Sequence, residues 1–359
     1  AQAILAPPAA AAMSELRWGV LGCGVVTEKK SGPLAFNQDG SVTVAVMRRD
    51  GAKAEDYAKR QGVARWYDSA ERLLADAEVN AVYIAAPPGA HAELAALVAA
   101  AGKPCYLEKP MARSYQESKV VADAFEAANV PLYVAYYRRA YPRFQRLRQL
   151  LHEERAIGDI TLVSYRKSQP PPRPQAGAEK PWRLDAQASG GGLFVDVGSH
   201  ALDLLDFLFG PLQELHGSAR GQQGAVETQV TASFAWPSGA VGSATWDFAA
   251  PLNEDVLEIR GSAGVLTLPE LLNGDKTILQ RTGSEAQTFV DQPPSVVQKP
   301  LVATVVAAIR GQDPSACQSG AASALRTAQA MDTILEFYYA GRGDEFWRRP
   351  ETWRTKGPI

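Results

Sequence analysis

Cysteine and histidine are scarce in this chain, and charge of neither sign is in excess. Cys23, Cys105 and Cys317 are the three cysteines in 359 residues, and no short spacing links them. An odd, scattered set excludes a disulfide framework and a cysteine-type zinc site, so a reducing compartment is expected. Lys plus Arg is 37 against 39 for Asp plus Glu, a net charge of -2. That balance excludes a global attraction to nucleic acid or to an anionic lipid surface. No stretch reaches about 18 apolar residues without a charge, which excludes a membrane-spanning helix. Hydrophobic residues are 46% of the chain, too many for a disordered protein. At about 150 residues per domain, this length suggests two domains. Ahead of Met13-Ser14-Glu15 stands a small-residue stretch, Ala1–Ala12. It reads as a leader or cloning remnant, with Met13 as the natural start. The alternative is a mature arm left by signal cleavage, but the stretch shows neither a basic n-region nor an apolar h-region.

From Leu16 onward, short apolar runs alternate with amphipathic helices. Strands are predicted at Arg17–Leu21, Val42–Met47, Ala81–Ala86, Pro104–Leu107 and Pro131–Ala135. Helices are predicted at Ala52–Gln61, His91–Ala101 and Ser114–Ala128, two of them stopped by Gly62 and Gly102. This alternation argues for a doubly wound parallel sheet. After Tyr141-Pro142 the texture changes. A helix is expected at Arg143–Glu154, a strand at Ile160–Ser168, a stiff proline-rich loop at Gln169–Pro174 and a helix at Phe194–Phe209. Strands then follow one another at Ser218–Arg220, Thr228–Ala235, Gly242–Phe248, Val256–Gly261 and Gly264–Leu268, as in an antiparallel sheet. Helices near Leu301–Arg310 and Ala321–Tyr339 close the chain. The fold class is therefore α/β: an N-terminal Rossmann-like domain over 13–137, then an α+β domain over 138–359 with a largely antiparallel sheet.

Gly22-Cys23-Gly24-Val25-Val26-Thr27 follows the first strand. The first glycine permits a tight turn, and the second lets a pyrophosphate approach the backbone. The N–H groups of Val25 and Val26, at a helix start, then face the phosphate. Thr27 stands where a full fingerprint has its third glycine, and a simple strand-to-helix turn is the competing reading. The second strand ends in Met47-Arg48-Arg49-Asp50, with no acid at the strand end itself. Arg48 and Arg49 offer planar donors to a 2′-phosphate, which favours NADP over NAD. A solvated turn with Asp50 as a helix cap is the alternative.

Two further motifs carry candidate chemistry. Glu108-Lys109-Pro110 stands at the carboxyl end of a parallel strand, where open sheets bind ligands. Farther on, Gly190-Gly191-Gly192 leads into a nearly all-apolar helix. In one continuous helix Asp196, His200 and Asp203 fall at i, i+4 and i+7, a polar stripe on one face. A histidine beside a carboxylate is an acid–base group near neutral pH. The same residues also fit a packing role, with Asp203 and Asp206 bridging to arginines. Two carboxylates and one histidine, without a second histidine or cysteine nearby, do not make a metal site. His91 follows Pro87-Pro88-Gly89-Ala90 at a helix start. It is either a helix-terminal group or, with Pro87, a minor cofactor contact.

Taken together, these motifs and their order resemble the Gfo/Idh/MocA oxidoreductase family from about Leu16 to Tyr339. The resemblance implies a Rossmann domain and a C-terminal domain whose open sheet forms a homodimer or homotetramer. It implies hydride transfer between NADP or NAD and a hydroxyl or carbonyl carbon of a sugar, sugar derivative or cyclitol. By motif position Lys109, Asp196 and His200 are the catalytic residues. Glu108 joins Gly22, Gly24, Val25, Val26, Arg48, Arg49, Pro87 and His91 as cofactor contacts. Pro181-Trp182-Arg183 resembles the substrate loop of sugar-ketone-reducing members, so Trp182 and Arg183, with Tyr137, are expected at the sugar. Met47 and Tyr136-Tyr137-Arg138-Arg139 depart from the usual pattern. A nicotinamide-dependent glycosidase and a non-catalytic NADP-binding regulator are the alternatives. A cytoplasmic protein without nucleic-acid or membrane partners is expected.

Overall fold

The computed structural model describes residues 14–171, 181–222, 224–313 and 315–354. The leader and the second half of the expected proline-rich loop, 172–174, lie outside them. The chain divides into two compact units. The first comprises the chain to Ala112, Glu117–Tyr137 and Pro294–Leu325. The second comprises Arg113–Gln116, Arg138–Pro293 and the chain from Arg326. The expected second domain, 138–359, thus gives up a stretch that folds with the first.

In the first unit, β1 (Leu16–Leu21) leads through the glycine turn to a short α1 (Val25–Lys29) and α2 (Pro33–Phe36). Then come β2 (Ser41–Met47), α3 (Gly51–Gln61), β3 (Arg65–Tyr67) and α4 (Ala70–Leu74). Next are β4 (Ala81–Ile84), α5 (His91–Ala100), β5 (Cys105–Leu107), α6 (Tyr115–Ala127) and β6 (Leu132–Val134). All six strands run parallel in the order β3-β2-β1-β4-β5-β6. Strand order reverses between β1 and β4, the switch point at whose carboxyl ends open α/β sheets bind ligands. The central strands β1, β4 and β5 read as near-continuous apolar runs because helices cover both sheet faces. Val82, Ile84, Leu107 and Val134 are completely buried among the core side chains. Asp50 caps α3 by accepting from the Lys53 N–H at 3.2 Å, and Gly62 ends it in the left-handed region.

In the second unit, α7 (Pro142–Arg148) runs into a π-helical turn, Gln149–Glu153, followed by β7 (Ile160–Ser168) and α8 (Ala186–Ser189). The predicted helix 194–209 is divided. Phe194–Gly198 is a π-helical turn, and only Ser199–Phe209 is α-helix, α9. Seven strands follow: β8 (Gln213–Arg220), β9 (Gln229–Ala235), β10 (Val241–Asp247), β11 (Glu254–Gly261), β12 (Gly264–Pro269), β13 (Lys276–Arg281) and β14 (Gln287–Val290). With β7 they form one sheet, β14-β13-β12-β11-β7-β10-β9-β8. Every pair is antiparallel except β7 with β10. One sheet face is apolar. Tyr165, Phe234, Trp246 and Ile259 are buried on it, and Trp246 meets Phe194 edge to face at 4.8 Å. The other face shows Thr231, Ser233, Ser243 and Thr245 exposed, the alternation of a half-covered antiparallel sheet. The chain closes with α10 (Lys299–Ile309), which folds with the first unit, and α11 (Ala321–Tyr339), grouped with the second from Arg326.

Candidate active site

The residues predicted around a dinucleotide gather at the carboxyl edge of the six-stranded sheet. Gly22 takes φ +97°, and a Cβ there would stand 2.9 Å from the Ala86 nitrogen at the end of β4. Only glycine fits that approach. Gly22 and Cys23 both donate to the Met47 carbonyl, at 2.9 and 3.2 Å, which ties the turn to β2. Gly24 precedes α1, and a Cβ there would have the Gly22 oxygen at 3.9 Å as its nearest neighbour, leaving room for a ligand. The first N–H groups of a helix, here those of Val25 and Val26, have no intrahelical acceptor. This open, glycine-lined turn fits a pyrophosphate. Thr27, in place of a third glycine, is buried and its hydroxyl donates to the Gly24 carbonyl at 2.7 Å. Burial pushes the Cys23 thiol up to about 11, so it stays an uncharged packing group. Arg48 and Arg49 are exposed just beyond β2, and the Arg48 Nη1 lies 3.4 Å from the Cys23 carbonyl oxygen.

Glu108 stands at the end of β5, with its carboxylate turned inward. Its Oε1 accepts from the Tyr83 hydroxyl at 2.7 Å and from the Gln298 amide at 2.6 Å. Its Oε2 accepts from the Lys109 N–H at 3.2 Å. The chain extends further: Ser31 Oγ is 2.8 Å from the Tyr83 hydroxyl, and the Tyr106 hydroxyl donates to Gln298 at 2.9 Å. Burial, with the Glu108 charge beside it, holds Tyr83 well above the usual phenol range, so it stays a donor. Glu108 was expected to meet the cofactor. Its side chain instead anchors the peptide that presents Lys109, which is half-buried and precedes Pro110 through a cis peptide. His91 has a similar place. Its ring is fully buried, with Nε2 2.8 Å from the Ala86 carbonyl and Nδ1 3.0 and 3.2 Å from those of Pro110 and Met111. It links the turn after β4 to the segment after Lys109, and its ring makes these main-chain contacts rather than presenting itself to a ligand. Pro87 begins that turn, and Tyr137 is buried just beyond β6.

The second unit brings together three predicted sugar-facing residues. Arg183 donates from Nε to Asp196 Oδ2 at 2.9 Å, and its guanidinium lies 4.4 Å from the centre of the Trp182 ring. Trp182 and Arg183 are partly exposed, while His200 is buried in the first turn of α9. The expected single stripe of Asp196, His200 and Asp203 is broken, because a π-turn adds a residue per turn and shifts Asp196 out of α-helical register. Asp203 is turned to Arg139, whose Nε and Nη2 donate to its two carboxylate oxygens at 2.8 and 2.7 Å. Arg326 grips Asp206 in the same forked manner, at 2.7 and 2.8 Å. Burial pushes the Asp203 carboxyl up to about 6, against the pull of Arg139. Asp203 and Asp206 therefore bridge to arginines, the packing reading.

Sequence reasoning singled out neither Gln298, Glu227 nor Arg342. Each is buried and hydrogen-bonded to a candidate-site segment distant in sequence, and nothing in its local pattern marks it. Among the described residues no group of His, Cys, Asp and Glu could hold a metal ion, and no helix is long and apolar enough to cross a membrane.

Comparison with known proteins places this geometry. Residues 16–136 match the oxidoreductase family with an NAD-binding Rossmann fold, and residues 144–267 match the GFO/IDH/MocA C-terminal domain. The chain belongs to the GFO/IDH/MocA oxidoreductase family. It is 32% identical over 305 residues to oxidoreductase P35 of Formosa agariphila, covering 85% of this chain and 94% of that protein. It is 26% identical to the 1,5-anhydro-D-fructose reductase of Ensifer adhaerens, covering 88% of this chain and 95% of that one. In fold it resembles an NAD-binding oxidoreductase of Klebsiella pneumoniae, with TM-score 0.78, 22% identity, and coverage of 89% and 96%.

Proposed function

We propose that the chain moves a hydride between a nicotinamide cofactor and a hydroxyl or carbonyl carbon of a sugar, sugar derivative or cyclitol. The Trp182–Arg183–Asp196 cluster carries this reading. An aromatic face suits the C–H face of a sugar ring, and a guanidinium and a carboxylate together suit its hydroxyls. A relative matched over 95% of its length is a 1,5-anhydro-D-fructose reductase. When bound, the nicotinamide supplies or accepts the hydride. Lys109 hydrogen-bonds the reacting oxygen and steadies its developing negative charge. His200 serves as the proton donor or acceptor, and Asp196 orients the substrate hydroxyls through its pair with Arg183. Arg48, exposed beside the glycine turn, supports NADP as the preferred cofactor.

A homodimer or homotetramer is part of the proposal. On the open sheet face, Val241 and Leu162 are exposed apolar neighbours on paired strands. A cytoplasmic setting suits the unbridged buried thiols Cys23 and Cys105. The test is a panel of free sugars, anhydro-sugars, cyclitols and glycosides with NADP and NAD in both redox states. A sustained absorbance change in the nicotinamide band supports the reading. Glycoside cleavage without net cofactor turnover supports a glycosidase, and binding without any turnover supports a regulator.

A further inference from the structure

The triple glycine is gripped at both ends by buried side chains of opposite charge. It joins α8 to the π-turn that carries Asp196, so it lies between the Arg183 and Asp196 arms of one ion pair. At its far end, the Gly192 N–H donates to both oxygens of Glu227, at 2.8 and 2.9 Å. The Tyr339 hydroxyl donates to Glu227 as well. At its near end, the Gly190 carbonyl accepts from Arg342 Nη1 at 3.0 Å. The same guanidinium donates to the Arg113 carbonyl at 2.8 Å and to Asp332 at 2.7 Å. Glu227 and Arg342 are each 1% exposed.

The backbone leaves no slack around these contacts. Gly190 has φ +82°, and a Cβ there would stand 2.4 Å from the Arg113 oxygen, while one on Gly192 would stand 2.6 Å from the Glu227 carbonyl oxygen. The bracket is closed from behind by aromatic rings. Tyr339 packs on Phe346 at 4.7 Å and on Trp353 at 4.8 Å, and the Arg342 guanidinium lies over Phe346 at 4.3 Å. The C-terminal family match ends at residue 267, so Tyr339, Arg342 and these rings lie outside it.

Burying a carboxylate and a guanidinium is a poor way to gain stability, because an apolar filling of the same shape does as well or better. What such groups do supply is direction: each fixes one backbone group of the glycine loop at one distance and angle. We infer that Glu227 and Arg342 are positioning residues that hold the glycine loop so that Asp196 faces its substrate and partner Arg183 in one geometry. This inference rests on the proposed sugar oxidoreductase function. It adds two residues that touch neither substrate nor cofactor.

The experiment uses the full chain and the variants Glu227→Gln, Arg342→Lys and Tyr339→Phe. The last removes a single hydroxyl and serves if either of the others fails to fold. Two readouts are taken: steady-state kinetics on the best sugar of the panel, and amide hydrogen exchange of the segment 190–198. The expected result is a fall in kcat per folded molecule of at least about tenfold and an unchanged KM for the cofactor, whatever the change in melting temperature. Exchange should be at least about tenfold faster in that segment alone. Variants that keep wild-type kcat and wild-type exchange in the segment overturn the inference. So does a drop in melting temperature with kcat per folded molecule unchanged, which is the mark of a purely structural role. The exchange readout needs no substrate. If wild type turns over no sugar, the functional reading fails while the bracket is still tested by exchange.

Discussion

The Gln298 amide donates to the Glu108 carboxylate at 2.6 Å across 190 residues of chain. This bond fixes the residue that precedes the candidate catalytic lysine, and it comes from a stretch that returns to the first unit long after the sheet is complete. Replacing Gln298 by Ala removes one donor from Glu108 and one acceptor from the Tyr106 hydroxyl inside the core. An unsatisfied buried polar group costs about 1–3 kcal/mol. The expected outcome is a lower melting temperature and a reduced kcat. Gln298→Glu, which sets a second carboxylate against the first, should be worse on both counts. Thermal unfolding and steady-state kinetics check this.

Arg48 bears on cofactor choice. Arg48→Ala should lower kcat/KM for NADP by about tenfold or more, the size of a lost charge-assisted contact of about 1.5–3 kcal/mol, and should leave NAD nearly unaffected. Parallel titrations with the two cofactors decide it. Equal losses with both would assign Arg48 to the glycine turn instead of a 2′-phosphate.

His91 sets an acid limit on the first unit. Burial lowers its pKa from the ordinary 6.5. In the unfolded chain the ring takes up a proton as pH falls through that ordinary value, and the folded ring does not. Stability from this group is therefore complete above about 6.5 and declines as pH drops below it. Melting temperatures of wild type and His91→Asn, measured from pH 7.5 down to 5, should converge as the pH falls. A constant difference across that range would rule out the titration.

Arg139→Met should be costly, because it leaves Asp203 buried without its charge partner while Arg326 still holds Asp206. Losing one member of a buried pair costs about 3–5 kcal/mol. The Asp203 carboxyl, already up to about 6, rises further in the variant. A raised carboxyl holds its proton in the fold where the unfolded chain has lost it, so stability declines as pH rises through that window. Wild type loses stability in the same way up to about 6, so the deficit of the variant should widen as pH rises above about 6. Denaturant unfolding at several pH values measures it.

The parts legible in the sequence are those with a long periodic signal. Strands β1, β2 and β4 and helices α3, α5 and α6 fall within about two residues of their predicted places, because buried parallel strands and amphipathic helices write their burial into the order of residues. Three-residue β3 is too short to show a period, and β14 has mostly exposed side chains without alternation. The π-turn at Phe194–Gly198 leaves no trace in a helix that is apolar nearly all round, so the stripe was drawn in the wrong register. In the candidate site, Trp182 and Arg183 are implied by the family resemblance and Asp196 by its motif, and the three are in contact. Gln298, Glu227 and Arg342 are marked by neither, because their partners are set by the path of the chain and not by any neighbour in sequence.

The most direct measurement follows nicotinamide absorbance with the sugar and cyclitol panel for wild type, Lys109→Ala and His200→Ala. Wild type is expected to give a sustained, substrate-dependent change. Each variant should retain cofactor binding and lose about 10²–10⁴-fold in turnover, the usual loss for a proton-transfer or charge-stabilising group. Full turnover in both variants, or no hydride transfer to any panel member by wild type, would contradict the assignment.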